Sequence, residues 1–205
     1  MKEKGYLIDR AIYRSLIEAF VGKGKVGSAC DLLKDSSESG YRADMAIYNS
    51  LIEGLCSAER VDIAYMLFHV IIVEYLQPDF STVKPLLVSF AELKRMDEFW
   101  RMLEEMKNLG FSVVHDLAKL LLFMVEKHDK LKVALELFEH LKTKDYCNVS
   151  MYNIIMEALY RIRELRKALV FLDELKSSNF KPDSVTYSIA IQCFAEVGDV
   201  HAITR

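Results

Sequence analysis

Residues 45–79, MAIYNSLIEGLCSAERVDIAYMLFHVIIVEYLQPD, decide how the rest of the chain is read. Their first part places Ile47, Tyr48, Leu51, Ile52 and Leu55 on one stripe of a helix. Ser57-Ala58-Glu59-Arg60 reads as a polar turn. Val61, Ala64, Leu67, Phe68 and Ile71 then mark a second helix, which Gln77-Pro78-Asp79 is expected to stop. Neither helix can bury its apolar face alone, so the pair must pack on neighbours.

Working outward, the same pattern recurs. Tyr13 and Tyr48 lie 35 residues apart, and so do Tyr152 and Tyr187. In the second helices, Ala29, Ala64, Phe99, Ala134, Ala168 and Ile203 fall at one site, where a small side chain lets two helices approach. Phe99, with Trp100 beside it, suggests a wider joint filled by exposed aromatics. A helix-ending site reads Gly5, Gly40, Tyr75, Gly110, Asp145 and Asn179. Gly and Asn tolerate the left-handed conformation that closes a helix, so the turns at Tyr75 and Asp145 are expected to be built differently.

A fixed period of this length is the signature of a stacked repeat array. The units are residues 10–44, 45–79, 80–114, 115–148, 149–183 and 184–205, with 1–9 as the tail of a preceding unit. The third and fourth diverge most: Val83 and Ala118 stand in place of the tyrosine, and Pro85 is expected in the first turn of its helix. Because Arg205 falls midway through a second helix, the chain reads as a segment of a longer array. Any targeting peptide would then lie upstream.

With 205 residues, 52% hydrophobic, 8 glycines and 3 prolines, the chain has the composition of an ordered helical protein. The net charge of −3 leaves no global basic surplus, so a nucleic-acid surface must be a local patch. Cys30, Cys56, Cys147 and Cys193 form no CxxC, which reads as a reduced compartment, and Cys30 and Cys56 read as packing residues. No apolar run is long enough to span a bilayer. The five histidines form no HExxH, and no nucleophile–base pair stands out, so neither an enzyme nor a metal or other cofactor is indicated. Gly22-Lys23-Gly24-Lys25-Val26-Gly27 matches GxGxxG formally. A phosphate loop needs a preceding strand, whereas here a helical stripe precedes and the repeat context makes the glycines an interhelical turn.

The residues Tyr48-Asn49-Ser50-Leu51-Ile52-Glu53-Gly54-Leu55-Cys56 with Gln77-Pro78-Asp79, and Tyr152-Asn153-Ile154-Ile155 with Phe180-Lys181-Pro182-Asp183, resemble the pentatricopeptide repeat family, of the P type found in plant organelles. The resemblance covers essentially the whole chain. It implies an all-α right-handed superhelical solenoid of antiparallel helix pairs, about six units and roughly 12 helical segments. It also implies a mitochondrial or chloroplast location and binding of single-stranded RNA, one base per unit, in RNA processing, stability or translation. The zinc deaminase signature carried by some members of that family does not occur here.

By that resemblance, base-reading falls to the residue after the tyrosine together with the last residue of the unit. These are Asn49 with Asp79 and Asn153 with Asp183, which look like the family's uridine-preferring pair. Ser188 holds the first of these positions in the sixth unit. The other combinations, Arg14 with Asp44, Lys84 with Val114 and Lys119 with Asn148, name no base. Arg14, Lys84 and Lys119 become candidate RNA backbone contacts instead. Positions flanking the base are Ala11, Ala46, Ser81, Asp116, Ser150 and Val185; only Val185 matches the apolar residue that the family favours, and Asp116 would repel phosphate. The implied preference is U-n-n-U.

The competing expectation is a protein-binding scaffold, favoured by the acidic balance and the diverged middle units. Self-association is also expected, because the incomplete last unit would leave Ile189, Ile191 and Phe194 half covered.

Overall fold

The computed structural model describes residues 10–40, 42–127 and 129–198. These residues form eleven α-helices and contain no strand. The first helices of the pairs are α1 (Arg10–Gly22), α3 (Met45–Ser57), α5 (Phe80–Glu92), α7 (Val113–Val125), α9 (Val149–Arg161) and α11 (Ser184–Val197). The second helices are α2 (Val26–Glu38), α4 (Val61–Val73), α6 (Met96–Asn108), α8 (Leu131–Thr143) and α10 (Leu165–Ser177). The expected twelfth segment falls in residues 199–205, outside those described, as do Gly5 and Ile203. The protein is an all-α helical repeat solenoid, and it divides into two compact units, residues 1–99 and 100–205.

In the first unit, α3 packs on α1, α4 and α5; in the second, α9 packs on α7, α10 and α11. The small-residue site does what its spacing implies. Ala29, Ala64, Ala134 and Ala168 are all fully buried, and so is Phe99. Phe99 is thus a core residue rather than part of an exposed aromatic surface. Its neighbour Trp100 is half-buried, with its ring stacked on Tyr146 at 6.1 Å between centroids.

Helix ends show where local sequence yields to packing. Gly40, Tyr75, Gly110 and Asp145 all have positive φ, from 56° to 87°. At Tyr75 the N–H reaches Ile72 O, and Leu76 N–H reaches Ile71 O; Asp145 and Tyr146 pair likewise with Lys142 O and Leu141 O. This is the closure that glycine normally makes. The Tyr75 and Asp145 turns are therefore built like the glycine turns, contrary to expectation. Asn179 is the exception: α10 ends through an extended Ser178, whose Oγ accepts from Phe180 N–H. The interhelical turns repeat the left-handed device at Gly24, Glu59, Lys94 and Arg163. A fixed number of residues must reverse the chain between packed helices, so the geometry is imposed whatever residue occupies the site. Because the closure sits at Glu74-Tyr75, α4 ends at Val73, ahead of the expected stop at Gln77-Pro78-Asp79. Gly22 to Gly27 form the end of α1, a turn and the start of α2.

Two further expectations change. Pro85 is the sixth residue of α5, inside the helix rather than in its first turn. It therefore deprives Ser81 O of an intrahelical N–H partner. Helix α7 begins at Val113, two residues before the expected unit start. Val114, at the unit's last position, has no side-chain acceptor to cap a helix.

Candidate nucleic-acid interface

Except at Val114, the last residue of a unit turns out to be the N-cap of the next unit's first helix. Asp44 accepts from Ile47 N–H at 3.1 Å, Asp79 from Thr82 N–H at 3.1 Å, Asn148 from Met151 N–H at 3.0 Å and Asp183 from Thr186 N–H at 2.8 Å. A short acceptor at this site satisfies one orphan donor of the helix start. Residues assigned to base reading thus have a structural duty at the joint between units.

Both asparagine–aspartate pairs are drawn together by a third residue that sequence reasoning missed. Thr186 Oγ1 donates to Asn153 Oδ1 at 2.7 Å and also lies 2.9 Å from Asp183 Oδ1, while Asp183 N–H donates back to Thr186 Oγ1 at 3.2 Å. Asn153 Nδ2 completes the ring by donating to Asp183 Oδ1 at 3.0 Å. In the first unit Thr82 Oγ1 donates to Asn49 Oδ1 at 2.8 Å and accepts from Asp79 N–H at 3.2 Å. Thr82 and Thr186 are fully buried. The available signal was Asp-x-x-Thr, Asp79 to Thr82 and Asp183 to Thr186, a capping-box spacing.

Asn153 is buried, at 8% exposure, whereas Asn49 is half-buried. The Asp183 carboxyl is held below its ordinary value of 3.8, chiefly by the Thr186 backbone N–H. Burial acts against this, and the Asn153 amide and Thr186 hydroxyl act with it.

Asn153 and Asp183 line a cleft of about 360 Å³ in the second unit. Leu122, Val125, Ile154 and Ile189 supply apolar walls, and Ser150 and Val185, both expected to flank a base, also line it. Ala158 and the Glu157–Arg161 pair, 3.2 Å apart, complete the lining. An apolar slot with a few convergent polar groups suits a flat, hydrogen-bonding ligand. Ala46 and Ser81 are exposed on the first unit, and Ser188 is exposed on α11.

The expected cationic patch is reduced. Arg14 pairs with Asp44 at 3.3 Å and Glu18 at 2.9 Å. Lys119 pairs with Asp116 at 3.2 Å, and Asp116 is buried rather than presented to solvent. The two inner positions of the fourth unit therefore neutralise each other, which removes the repulsion expected from Asp116 as well. Lys84 is half-buried on α5. Burial pushes the thiol of Cys56 up to about 11 and that of Cys147 up to about 12, so both are protonated packing groups at neutral pH. Among the described residues no cluster of His, Cys, Asp and Glu could hold a metal ion, and no helix is long and apolar enough to cross a membrane.

Comparison with known proteins bears on the same residues. Family models described as PPR repeat match residues 11–41 and 39–71, and one described as PPR repeat family matches 148–196. A pentatricopeptide repeat-containing protein of Arabidopsis thaliana is 48% identical over 135 residues, 66% of this chain and 19% of that protein. A second from the same plant, named mitochondrial, is 26% identical over 119 residues, 56% of this chain and 25% of its own length. The chain thus spans a quarter or less of the curated relatives it matches. Among solved structures, nuclear proteinaceous RNase P 2 of A. thaliana superposes with a TM-score of 0.50 at 13% identity, covering 92% of this chain and 43% of that one, a likeness of fold. The repeated capped helix pairs, with the family matches that take in more than half of the residues, place this chain in the pentatricopeptide repeat family.

Proposed function

We propose that this chain binds single-stranded RNA, with Asn153 and Asp183, and by repetition Asn49 and Asp79, reading bases at one base per repeat. The observation that carries this reading is the cleft of about 360 Å³, where an amide and a carboxylate sit among apolar walls. A base stacks or wedges against the aliphatic side chains, while its edge meets a donor and an acceptor. By the same reading Ala46 and Lys84 contact RNA in residues 1–99, and Ser150 and Val185 do so in residues 100–205. The role is non-catalytic and serves RNA processing, stability or translation in a mitochondrion or chloroplast.

Two unreadable repeats separate the asparagine pairs, so the preferred motif is U-n-n-U. Fluorescence titration of U-n-n-U and A-n-n-A oligonucleotides at two salt concentrations tests the reading. Asn153→Ala should weaken the matched RNA by about 1–3 kcal/mol. Equal affinities that Asn153→Ala leaves untouched would refute base reading.

The internal ion pairs of Arg14 and Lys119 favour a second reading, a protein-binding scaffold with weak or no RNA affinity. Absence of RNA binding at low salt, where phosphate contacts are strongest, would select it.

A further inference from the structure

The geometry points to Thr186 and Thr82 as positioning residues that fix the base-reading asparagines in one amide orientation. This rests on the RNA-binding reading above.

An asparagine side chain can present its oxygen or its NH₂ group after a half-turn, so an unanchored amide offers a ligand either face. Here the choice is removed. Ionised Asp183 can only accept, so it must meet Nδ2, which it does at 3.0 Å. Thr186 Oγ1 already accepts from Asp183 N–H, so its own proton is available to Asn153 Oδ1 at 2.7 Å. Flipping Asn153 would set its oxygen against a carboxylate and its NH₂ against the hydroxyl. The locked amide keeps one Nδ2 proton for a ligand, next to the Asp183 carboxylate. That donor beside an acceptor complements the O4 and N3–H of uracil.

Capping alone does not account for the threonine. Asp44 and Asn148 cap α3 and α9 with Ile47 and Met151 at the equivalent third position. Threonine stands there in the two joints where the preceding repeat offers an asparagine, and Asn49–Thr82 and Asn153–Thr186 are both 33 residues apart. Where the preceding repeat offers Arg14 or Lys119, no hydroxyl is supplied. Full burial of both threonines keeps water from replacing them.

The test uses Thr186→Val, which keeps the shape and removes the hydroxyl, and Thr186→Ser, which restores it; Thr82→Val repeats the test at the other joint. The first readout needs no RNA: exchange protection of the Asn153 side-chain NH₂ by ¹H–¹⁵N NMR, below the unfolding temperature of each variant. Protection is expected in wild type and Thr186→Ser and is reduced in Thr186→Val, where Asp183 alone holds the amide. The second readout is the ratio of U-n-n-U to A-n-n-A affinity, which should fall about tenfold in Thr186→Val, return in Thr186→Ser and leave the salt slope unchanged. An unprotected amide in wild type that binds U-n-n-U selectively would overturn the positioning role while leaving RNA recognition intact. Protection and ratio both unchanged in Thr186→Val and Thr82→Val would overturn it too. A protected amide in a protein that binds neither oligonucleotide would refute the RNA reading and the specificity role with it.

Discussion

Asn153→Ala should destabilise the second unit. The wild-type side chain is 8% exposed and donates to the Asp183 carboxylate at 3.0 Å. A hydrogen bond to a charged group contributes about 1.5–3 kcal/mol, and the exposure of Asp183 argues for the lower end because water can replace the lost donor. Thr186 is not orphaned, since its proton can turn to Asp183 Oδ1 at 2.9 Å. Alanine also recovers about 0.5 kcal/mol of helix propensity. The net loss is about 1 kcal/mol. Repeat arrays need not unfold in one step, so the measurement is amide hydrogen exchange at the α9–α11 joint alongside urea denaturation. Ser188→Ala, at an exposed position, is the control. An Asn153→Ala protein as stable as wild type at that joint would refute the energetic role assigned to the network.

Tyr75→Gly should stabilise the first unit by about 0.5–1 kcal/mol, because Tyr75 has φ 56° and a 92% exposed side chain with little packing to lose; urea denaturation would show it. Asp183 has its carboxyl pKa lowered by folding, so its contribution is present above pH 3.8 and is lost as pH falls through the lower folded value. Asp183→Asn, which keeps the cap, should therefore narrow the acid sensitivity of the α9–α11 joint, as followed by NMR against pH. Ala168→Leu should cost about 1–3 kcal/mol by overpacking a fully buried site, and thermal melting would register it. Phe99→Ala should cost about 3–5 kcal/mol, also by melting, because Phe99 is wholly enclosed.

The period, the helix pairs and the buried alanines were legible because they depend on spacing, which packing preserves. Residue identity at the helix ends misled. Tyr75 and Asp145 adopt the left-handed turn that glycine prefers, since the length of the connection leaves no alternative, while Asn179 does not adopt it. Asn153 and Asp183 line one cleft. The burial of Asn153 and its hydrogen bond to Asp183 were hidden, because the residue that joins them, Thr186, lies 33 residues from Asn153 and belongs to the next repeat. Charge was legible only as a sum. Arg14 and Lys119 look available in sequence, yet each meets a carboxylate that helical geometry or the next cap brings within reach.

On the proposed reading, the cap of one first helix completes the recognition group of the repeat before it at the Asn49 and Asn153 joints, so neither of these repeats would carry its whole specificity. Asn153 belongs to α9, but Asp183 and Thr186 hold the start of α11. A designer who transplants such repeats between arrays should cut after the threonine rather than at the aspartate. The portable cassette would then run from Ser150 to Thr186, carrying amide, carboxylate and hydroxyl together. A cut at the aspartate would leave an amide whose orientation is set by whatever residue the recipient array supplies.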